Sequence, residues 1–160
     1  MNSKVCSRVV AAMMVVSAFM LAACDRRTVY DKFQSTPIAG WEKNDTLTYA
    51  VKPLEESSEY AVQVGLRTTD SYPFTSLTLI MEQEVLPSHR VEIDTIHCDL
   101  TDKQGNNLGY GVGYRQYLFA VGTFRLEKGD SLHIVLRHDM KREILPGISD
   151  VGISLVKERQ

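Results

Sequence analysis

The clearest periodicity in this chain is Tyr60-Ala61-Val62-Gln63-Val64-Gly65-Leu66-Arg67, in which large apolar side chains alternate with small or polar ones. Successive side chains of a β-strand point to opposite faces, so a period of two gives a strand one apolar face and one polar face. Such a strand buries its apolar face by packing against a second layer. The stretch therefore predicts a strand in a two-layer β-structure.

The same period recurs along the rest of the chain, with turn-forming residues between the repeats. It is visible at 47–51, 77–85, 96–100, 132–136 and 151–155, with turn signals at 103–107 and 127–130. Seven to nine strands predict an all-β fold, an antiparallel β-sandwich of jelly-roll or immunoglobulin-like type; the spacing does not distinguish the two topologies. Little helix is expected, with single turns at Met140–Leu145 and Pro53–Ser58.

The N-terminus has the order of a secretory signal peptide. The basic residues Lys4 and Arg8 come before an apolar run over residues 9–20, and small residues follow that run. The run is shorter than the ~20 apolar residues that a membrane-spanning helix needs. The residues that end it, Leu21-Ala22-Ala23-Cys24, are similar to a bacterial lipobox, whose cysteine is lipidated before cleavage.

This signal divides the chain into three parts. We expect residues 1–23 to be a lipoprotein signal peptide, residues 24–34 a lipid-anchored tether and residues 35–160 a single β-sandwich domain. Cys24 is the expected lipidation site and would carry two or three acyl chains, palmitate among them. One chain holds a protein to a membrane only marginally, whereas two or more hold it stably.

Charge and cysteine content exclude several classes of protein. Removal of residues 1–23 leaves 16 basic and 20 acidic residues, and the basic ones are scattered, which argues against nucleic-acid binding. Cys98 is the one cysteine that remains after cleavage and lipidation, so no internal disulfide is expected. It alternates with Ile96 and Leu100, which predicts a small buried side chain, and His97 should point to the opposite face.

No pattern typical of catalysis or metal binding stands out. The glycine-rich run 109–114 is followed by a strand-like segment, whereas a phosphate-binding loop precedes a helix. The four histidines lack the spacing of a zinc site. Glu82 and Glu84 share a strand face, a placement more typical of a solvated face than of a glycosidase carboxylate pair. We therefore expect no catalytic residues, no metal and no cofactor.

Aromatic residues are the strongest functional signal in the composition. Rings that carry a polar group are common at binding surfaces for sugars or proteins, and they also close the ends of β-sandwiches. The residues concerned are Trp41, Tyr72, Phe74, Tyr110, Tyr114 and Tyr117.

Several elements of the mature chain occur in an order that resembles a known family. They are Cys24, Trp41, Asp45-Thr46-Leu47-Thr48-Tyr49, Arg67, Tyr72-Pro73-Phe74, Leu77, Asp102, Gly105, the glycines at 109, 111 and 113, His138-Asp139-Met140 and Leu145-Pro146-Gly147-Ile148-Ser149-Asp150-Val151-Gly152. Together they resemble the gliding-motility lipoprotein GldH family of Bacteroidota-type bacteria. The resemblance implies a non-enzymatic envelope lipoprotein of the gliding apparatus, a machinery tied to type IX secretion. It transfers a role to Cys24 alone.

The leading hypothesis is therefore a lipid-anchored protein that acts through protein contacts. Tyr72-Pro73-Phe74 and Leu145-Pro146 are the expected contact residues, because apolar side chains on a proline-fixed backbone lose little entropy on binding. The alternative is a carbohydrate-binding module that uses Trp41, Tyr110 and Tyr114, with Trp41 or Tyr110 exposed. A third possibility, an enzyme acting on glycans, requires two carboxylates that face one cleft.

The expected partners are the membrane, through the lipid on Cys24, and envelope proteins of the motility and secretion apparatus. We expect the domain on the outer membrane, facing the periplasm. Asp25 directly follows the lipidated cysteine, which signals inner-membrane retention in some bacterial groups, so the inner membrane stays open as an alternative.

Overall fold

The structure, a computed structural model, describes residues 27–159, which form ten β-strands and no helix. The strands are β1 (Thr28–Ser35), β2 (Trp41–Glu42), β3 (Leu47–Val51), β4 (Ser58–Thr68), β5 (Ser76–Leu86), β6 (Arg90–Asp99), β7 (Arg115–Leu126), β8 (Ser131–His138), β9 (Ile144–Leu145) and β10 (Ile148–Lys157).

The eight long strands form two four-stranded antiparallel sheets. The first sheet has the order β1-β10-β4-β7 and the second the order β3-β8-β5-β6. The long strands pair in a nested order around the turn at 87–89: β5 with β6, β4 with β7, β3 with β8 and β1 with β10. The chain is therefore one long antiparallel hairpin that is folded over to form two layers. This is the strand order of a jelly roll. The predicted all-β sandwich is confirmed, and of the two topologies left open the jelly roll is the one observed.

The core lies between the two sheets and follows the predicted period. On β4 the inward side chains from Tyr60 to Leu66 are at most 1% exposed, whereas Gln63 on the outer face is half-buried. On β5 Leu77, Leu79 and Met81 are fully buried. The alternation in sequence is thus the alternation between core and outer face.

Strand β1 begins inside the segment that the sequence assigned to a tether. Residues from Thr28 onward pair with β10, with Phe33 opposite Gly152 and Ser35 opposite Asp150. The ordered sheet therefore includes residues 28–34. Cys24 and the expected signal peptide lie outside the described residues.

The two expected helical turns are absent, because their backbone groups bond elsewhere. Ile144 and Leu145 form β9 and pair with β2, and Lys43 N–H donates to Glu143 O at 2.8 Å. In the segment 52–57, Leu54 N–H donates to Asp130 O and Leu54 O accepts from Gly129 N–H, each at 2.8 Å. Both segments are thus irregular connections fixed by neighbouring chain, and neither is helical.

The two ends of the sandwich carry different connections. We call the end where β1 begins and β10 ends the near end; its connections are 52–57, 87–89 and 127–130. We call the opposite end, where β1, β4, β6 and β8 finish, the far end; its connections are 36–46, 69–75, 100–114 and 139–147.

Candidate functional site

Large exposed apolar side chains concentrate at the far end. The described residues include eleven exposed large apolar side chains, and seven of them lie on the four far-end connections. Isolated exposed apolar residues are ordinary, whereas a cluster of them marks an interaction site. The seven are Ile38, Phe74, Leu108, Tyr110, Val112, Tyr114 and Ile144. The far end is therefore the candidate functional site.

The two segments predicted as contact loops meet at this end. Thr69 N–H donates to Gly147 O at 2.8 Å, and a Cβ on Gly147, whose φ is +80°, would lie 2.3 Å from Tyr72 N. Tyr72 Oη donates to Ser76 O at 2.8 Å, and burial raises the pKa of the Tyr72 hydroxyl. The turn before β10 thus fixes the position of the loop after β4.

The exposed part of this pair of loops is smaller than expected. Phe74 is 37% exposed and packs edge-on against the Tyr72 ring, with centroids 5.6 Å apart. Pro73 is exposed and Pro146 half-buried, but Leu145 is fully buried. The prediction that Leu145 contacts a partner is therefore wrong, because its side chain belongs to the core through the β2–β9 pair.

Trp41 is also fully buried, so its assignment to a glycan-binding surface is wrong. Its Nε1–H donates to Asp45 O at 3.0 Å, and its ring meets His138 edge-on at 5.2 Å. Trp41 and Leu145 face each other across the β2–β9 ribbon and close the far end of the core. The alternative carbohydrate-binding surface thereby loses its largest ring.

Tyr110 and Tyr114, the other two residues of that alternative, are 83% and 47% exposed. They lie on a hairpin in which Tyr110 and Gln116 exchange both backbone hydrogen bonds, at 3.0 and 2.8 Å. The tip carries Val112, which is 98% exposed, and a shallow depression of about 370 Å³ lies between the two tyrosines. We call residues 108–116 the aromatic hairpin.

The base of this connection is fixed by Asp102. Its Oδ1 accepts from the backbone N–H groups of Gln104 and Asn106, at 2.9 and 2.8 Å, and its Oδ2 accepts from Asn106 Nδ2 at 2.8 Å. The hydrogen bond from the Asn106 side chain is the main reason why the pKa of Asp102 is lowered. A closed polar turn thus supports the exposed apolar tip.

An aromatic stack that the sequence did not reveal joins the hairpin to the outer face of the first sheet. The Arg67 guanidinium lies 4.2 Å from the Phe33 ring centroid and 5.9 Å from that of Tyr114. The Phe33 ring covers Gly65 and Gly152, where a Cβ would lie 2.4 and 2.8 Å from it. The sequence did contain a signal for this contact, because Gly65 and Gly152 lie inside predicted strands and a glycine within a strand often marks the close approach of another group.

Cys98 and its neighbour His97 do not form a catalytic pair. Cys98 is fully buried as predicted, and burial raises the pKa of its thiol to about 12, far from a reactive thiolate. His97 points to the opposite, exposed face. Glu84 Oε1 is 2.6 Å from Nδ1 of His89 at the sandwich surface. Within residues 27–159, no group of three or more His, Cys, Asp or Glu side chains is arranged to hold a metal ion.

Comparison with known proteins places this fold in a family. A family model described as GldH lipoprotein matches residues 28–155, from the first residue of β1 almost to the end of β10. The chain belongs to the GldH lipoprotein family. The match begins at Thr28, which agrees with β1 being part of the folded domain.

Two relatives are similar over nearly the whole chain. The gliding motility lipoprotein GldH of Flavobacterium johnsoniae is 28% identical over 149 residues, and the GldH homolog of Christiangramia forsetii is 24% identical over 152. Each match covers 89% of this chain and 92% of the relative. These similarities support a lipid-anchored envelope protein of the GldH type.

Among solved structures, a family GH115 4-O-methyl-alpha-glucuronidase is similar over 85% of this chain and 18% of its own, with 15% identity and a TM-score of 0.47. That likeness is too remote to bear on function. In the part of the GldH-family chain that the structure describes, no helix has the length and apolar character needed to cross a membrane.

Proposed function

We propose that this GldH-family protein is a non-enzymatic envelope lipoprotein that binds envelope proteins of the gliding and type IX secretion apparatus through its far end. Residues 1–23 act as the signal peptide, and Cys24 carries the lipid. The membrane is the outer membrane, with the domain facing the periplasm.

The observation that carries the proposal is the position of the exposed apolar residues. Thr28 lies four residues after Cys24 and begins β1 at the near end, so the lipid is attached at that end. The far-end connections, with Phe74 and the aromatic hairpin, are thus the part of the domain farthest along β1 from the anchor. A surface held at a distance from the bilayer is accessible to other envelope proteins.

The chemistry of the far end fits a protein partner. Apolar and aromatic residues are enriched at the centre of protein interfaces, and tyrosine and arginine often contribute most of the binding energy there. Tyr110, Val112 and Tyr114 supply exposed apolar area, while Arg67 between two rings supplies a cation that is already oriented. Because turns and hydrogen bonds fix these segments, little ordering entropy is lost on binding.

Site-specific photo-crosslinking in the native membrane tests the proposal. With p-benzoylphenylalanine in place of Tyr110, we expect a discrete crosslinked envelope protein. The same probe in place of His133, an exposed residue in the middle of β8, serves as the matched control and should give none. Crosslinks from His133 alone, or from both positions equally, would contradict a far-end surface.

Substitution of Phe74 gives an independent measurement. Phe74→Ala should lower recovery of the crosslinked protein at least about fivefold, the effect expected of an interface residue whose truncation costs ~1 kcal/mol or more of binding free energy. The cooperative thermal transition should be kept, because the side chain is already 37% exposed. If the variant instead loses its cooperative transition, Phe74 is a core residue and has no role in contact.

A further inference from the structure

A cleft of about 900 Å³ opens at the near end of the sandwich, beside the point where the chain enters β1. Its walls come from the start of β1, from the segment that follows β3 and from the last residues of β10. The volume lies in the range of sites that hold small molecules, ~300–1,000 Å³. Neither the far-end contacts nor the family likeness accounts for this cleft.

The cleft combines an apolar floor with a charged rim. Leu54 and Tyr60 are 6% and 1% exposed, whereas Val29 is 44% exposed. On the rim, Lys157 Nζ pairs with Glu56 Oε2; this hydrogen bond raises the pKa of the lysine and lowers that of the glutamate. Apolar walls under a rim of opposite charges match a ligand with an apolar chain and a polar head.

One buried polar group in the cleft wall has no partner. The Tyr30 hydroxyl has no hydrogen bond within residues 27–159, although Tyr30 lines the cleft and burial raises the pKa of its hydroxyl. Buried hydroxyls are nearly always hydrogen-bonded. Because this oxygen is itself buried, it is not a hydrogen-bond partner for a ligand in the open cleft.

The position of the chain indicates where such a ligand comes from. Arg27 lines the cleft, and Cys24 precedes it by three residues, a span of at most about 10 Å for extended backbone. A lipid attached to Cys24 therefore starts within reach of the cleft. The covalent tether holds this chain at a high effective concentration near the cleft.

We propose that the near-end cleft binds one acyl chain of the lipid attached to Cys24. This inference rests on the lipidation of Cys24 included in the proposed function. Exposure of an acyl chain to water is unfavourable in proportion to its length, and the buried side chains of Leu54 and Tyr60 in the cleft floor offer it apolar contact. The bound chain shields itself from water and brings the near end of the domain against the bilayer surface.

The first experiment measures whether the cleft binds acyl chains at all. The mature-length chain with Cys24→Ser carries no lipid, so its cleft is free for the fluorescent fatty acid cis-parinaric acid. We expect saturable binding, weakened at least tenfold by Val29→Asp. Val91→Asp is the matched control, because Val91 is similarly exposed (49%) but lies on β6, outside the cleft, and it should leave binding unchanged.

The second experiment asks whether the occupant is the protein's own chain. Cells fed a diazirine-containing fatty acid incorporate it into the lipid on Cys24, and illumination of the membranes should crosslink that chain to the peptide that contains residues 50–56. The peptide that contains residues 87–91, at the same end but outside the cleft, should stay unlabelled.

Each failure has a distinct meaning. Absence of saturable binding, or equal weakening by Val29→Asp and Val91→Asp, would overturn an acyl-chain site. Binding to the Cys24→Ser chain without crosslinks to residues 50–56 would overturn the assignment of the occupant. A mature protein whose intact mass shows no lipid would overturn both this inference and the proposed anchor, whereas loss of far-end crosslinks alone would leave the cleft result unchanged.

Discussion

His138 is the residue whose chemistry is most constrained by the fold. It is fully buried; its Nε2–H donates to Trp41 O at 3.1 Å, and its Nδ1 accepts from Met140 N–H at 3.4 Å. One nitrogen as donor and the other as acceptor is the pattern of a neutral imidazole. Burial is the main cause of the lowered pKa of His138. The far-end closure by Trp41 therefore depends on an uncharged histidine.

This arrangement predicts a pH dependence of stability. Because the pKa of His138 is lower in the folded state than its ordinary 6.5, the unfolded chain binds a proton first as the pH falls. The free energy of unfolding should therefore decrease from about pH 6.5 down to the folded pKa, by at most ~1.4 kcal/mol per pH unit from this residue. Denaturant titrations at pH 5 to 7.5 measure this slope.

His138→Gln should remove that part of the slope, and His133→Gln, at an exposed position of β8, should keep it. The lowered carboxylate pKa values, of Glu56, Asp102 and Glu127, act below about pH 4.5 and outside this window. NMR titration of the His138 ring in the unmodified protein checks the same point without a substitution. Protonation at or above pH 6.5 would contradict a buried neutral imidazole.

At the scale of elements, the position of the turn before β10 makes a sharp prediction about Gly147. Gly147→Ala places a Cβ at a φ of +80° and 2.3 Å from Tyr72 N, whereas Gly105→Ala places one at a φ of +86° with nothing within 4 Å. In both variants, backbone strain should lower the free energy of unfolding by about 1 kcal/mol. Gly147→Ala should lower the free energy of unfolding by at least ~1 kcal/mol more, because the backbone at Tyr72 must move to make room for the Cβ.

Comparison of the two alanine variants isolates the close approach between the turn and the loop after β4. Urea unfolding gives both values on the same scale, and crosslinking from Tyr110 shows whether the rest of the far end is disturbed. Equal losses for Gly147→Ala and Gly105→Ala would mean that the Tyr72 backbone adjusts freely. The turn would then not position the predicted contact loop.

The elements found from the sequence are those that obey one rule. In β3, β4, β5, the far half of β6, β8 and β10, large apolar side chains alternate toward the core, so a period of two located these strands. In β7 the pattern is weaker, because Leu118 is 60% exposed on the outer face. The rule fails at β1, where Lys32 and Gln34 face inward near the rim of the first sheet, and the strand was taken for a tether. It is reversed in the near half of β6, where Val91 and Ile93 face outward.

The candidate site was predictable only in part, for a physical reason. Proline and aromatic residues identified the loop 72–74, because local sequence fixes local backbone. Burial of Trp41 and Leu145 depends on the pairing of two dipeptides about a hundred residues apart in sequence, which no local pattern contains. The stack of Arg67 between Phe33 and Tyr114 likewise joins three separate strands or loops.

At the scale of the whole molecule, the two ends of the sandwich differ in a way that suits a tethered protein. The near-end turns are polar, as in Glu127-Lys128-Gly129-Asp130, where Asp130 Oδ2 accepts from Glu127 N–H at 2.9 Å. The far end carries most of the exposed apolar residues. On the proposed attachment of the lipid before β1, polar turns would face the lipid headgroups and the apolar surface would point away from them.

This orientation matters only if the tether is short, and the tether can be lengthened. Twenty Gly/Ser residues inserted between Asp25 and Arg26 add a root-mean-square span of roughly 25 Å, similar to the ~26 Å length of β1. The far end would then sample a much larger volume, and its effective concentration at a partner in the same membrane would fall. We expect the crosslinking yield from position 110 to drop several-fold, with an unchanged thermal transition.

The same twenty residues added after Arg159, which leave the tether as it is, should have no effect. An undiminished yield from the lengthened tether would show that the partner binds the far end regardless of its height above the bilayer.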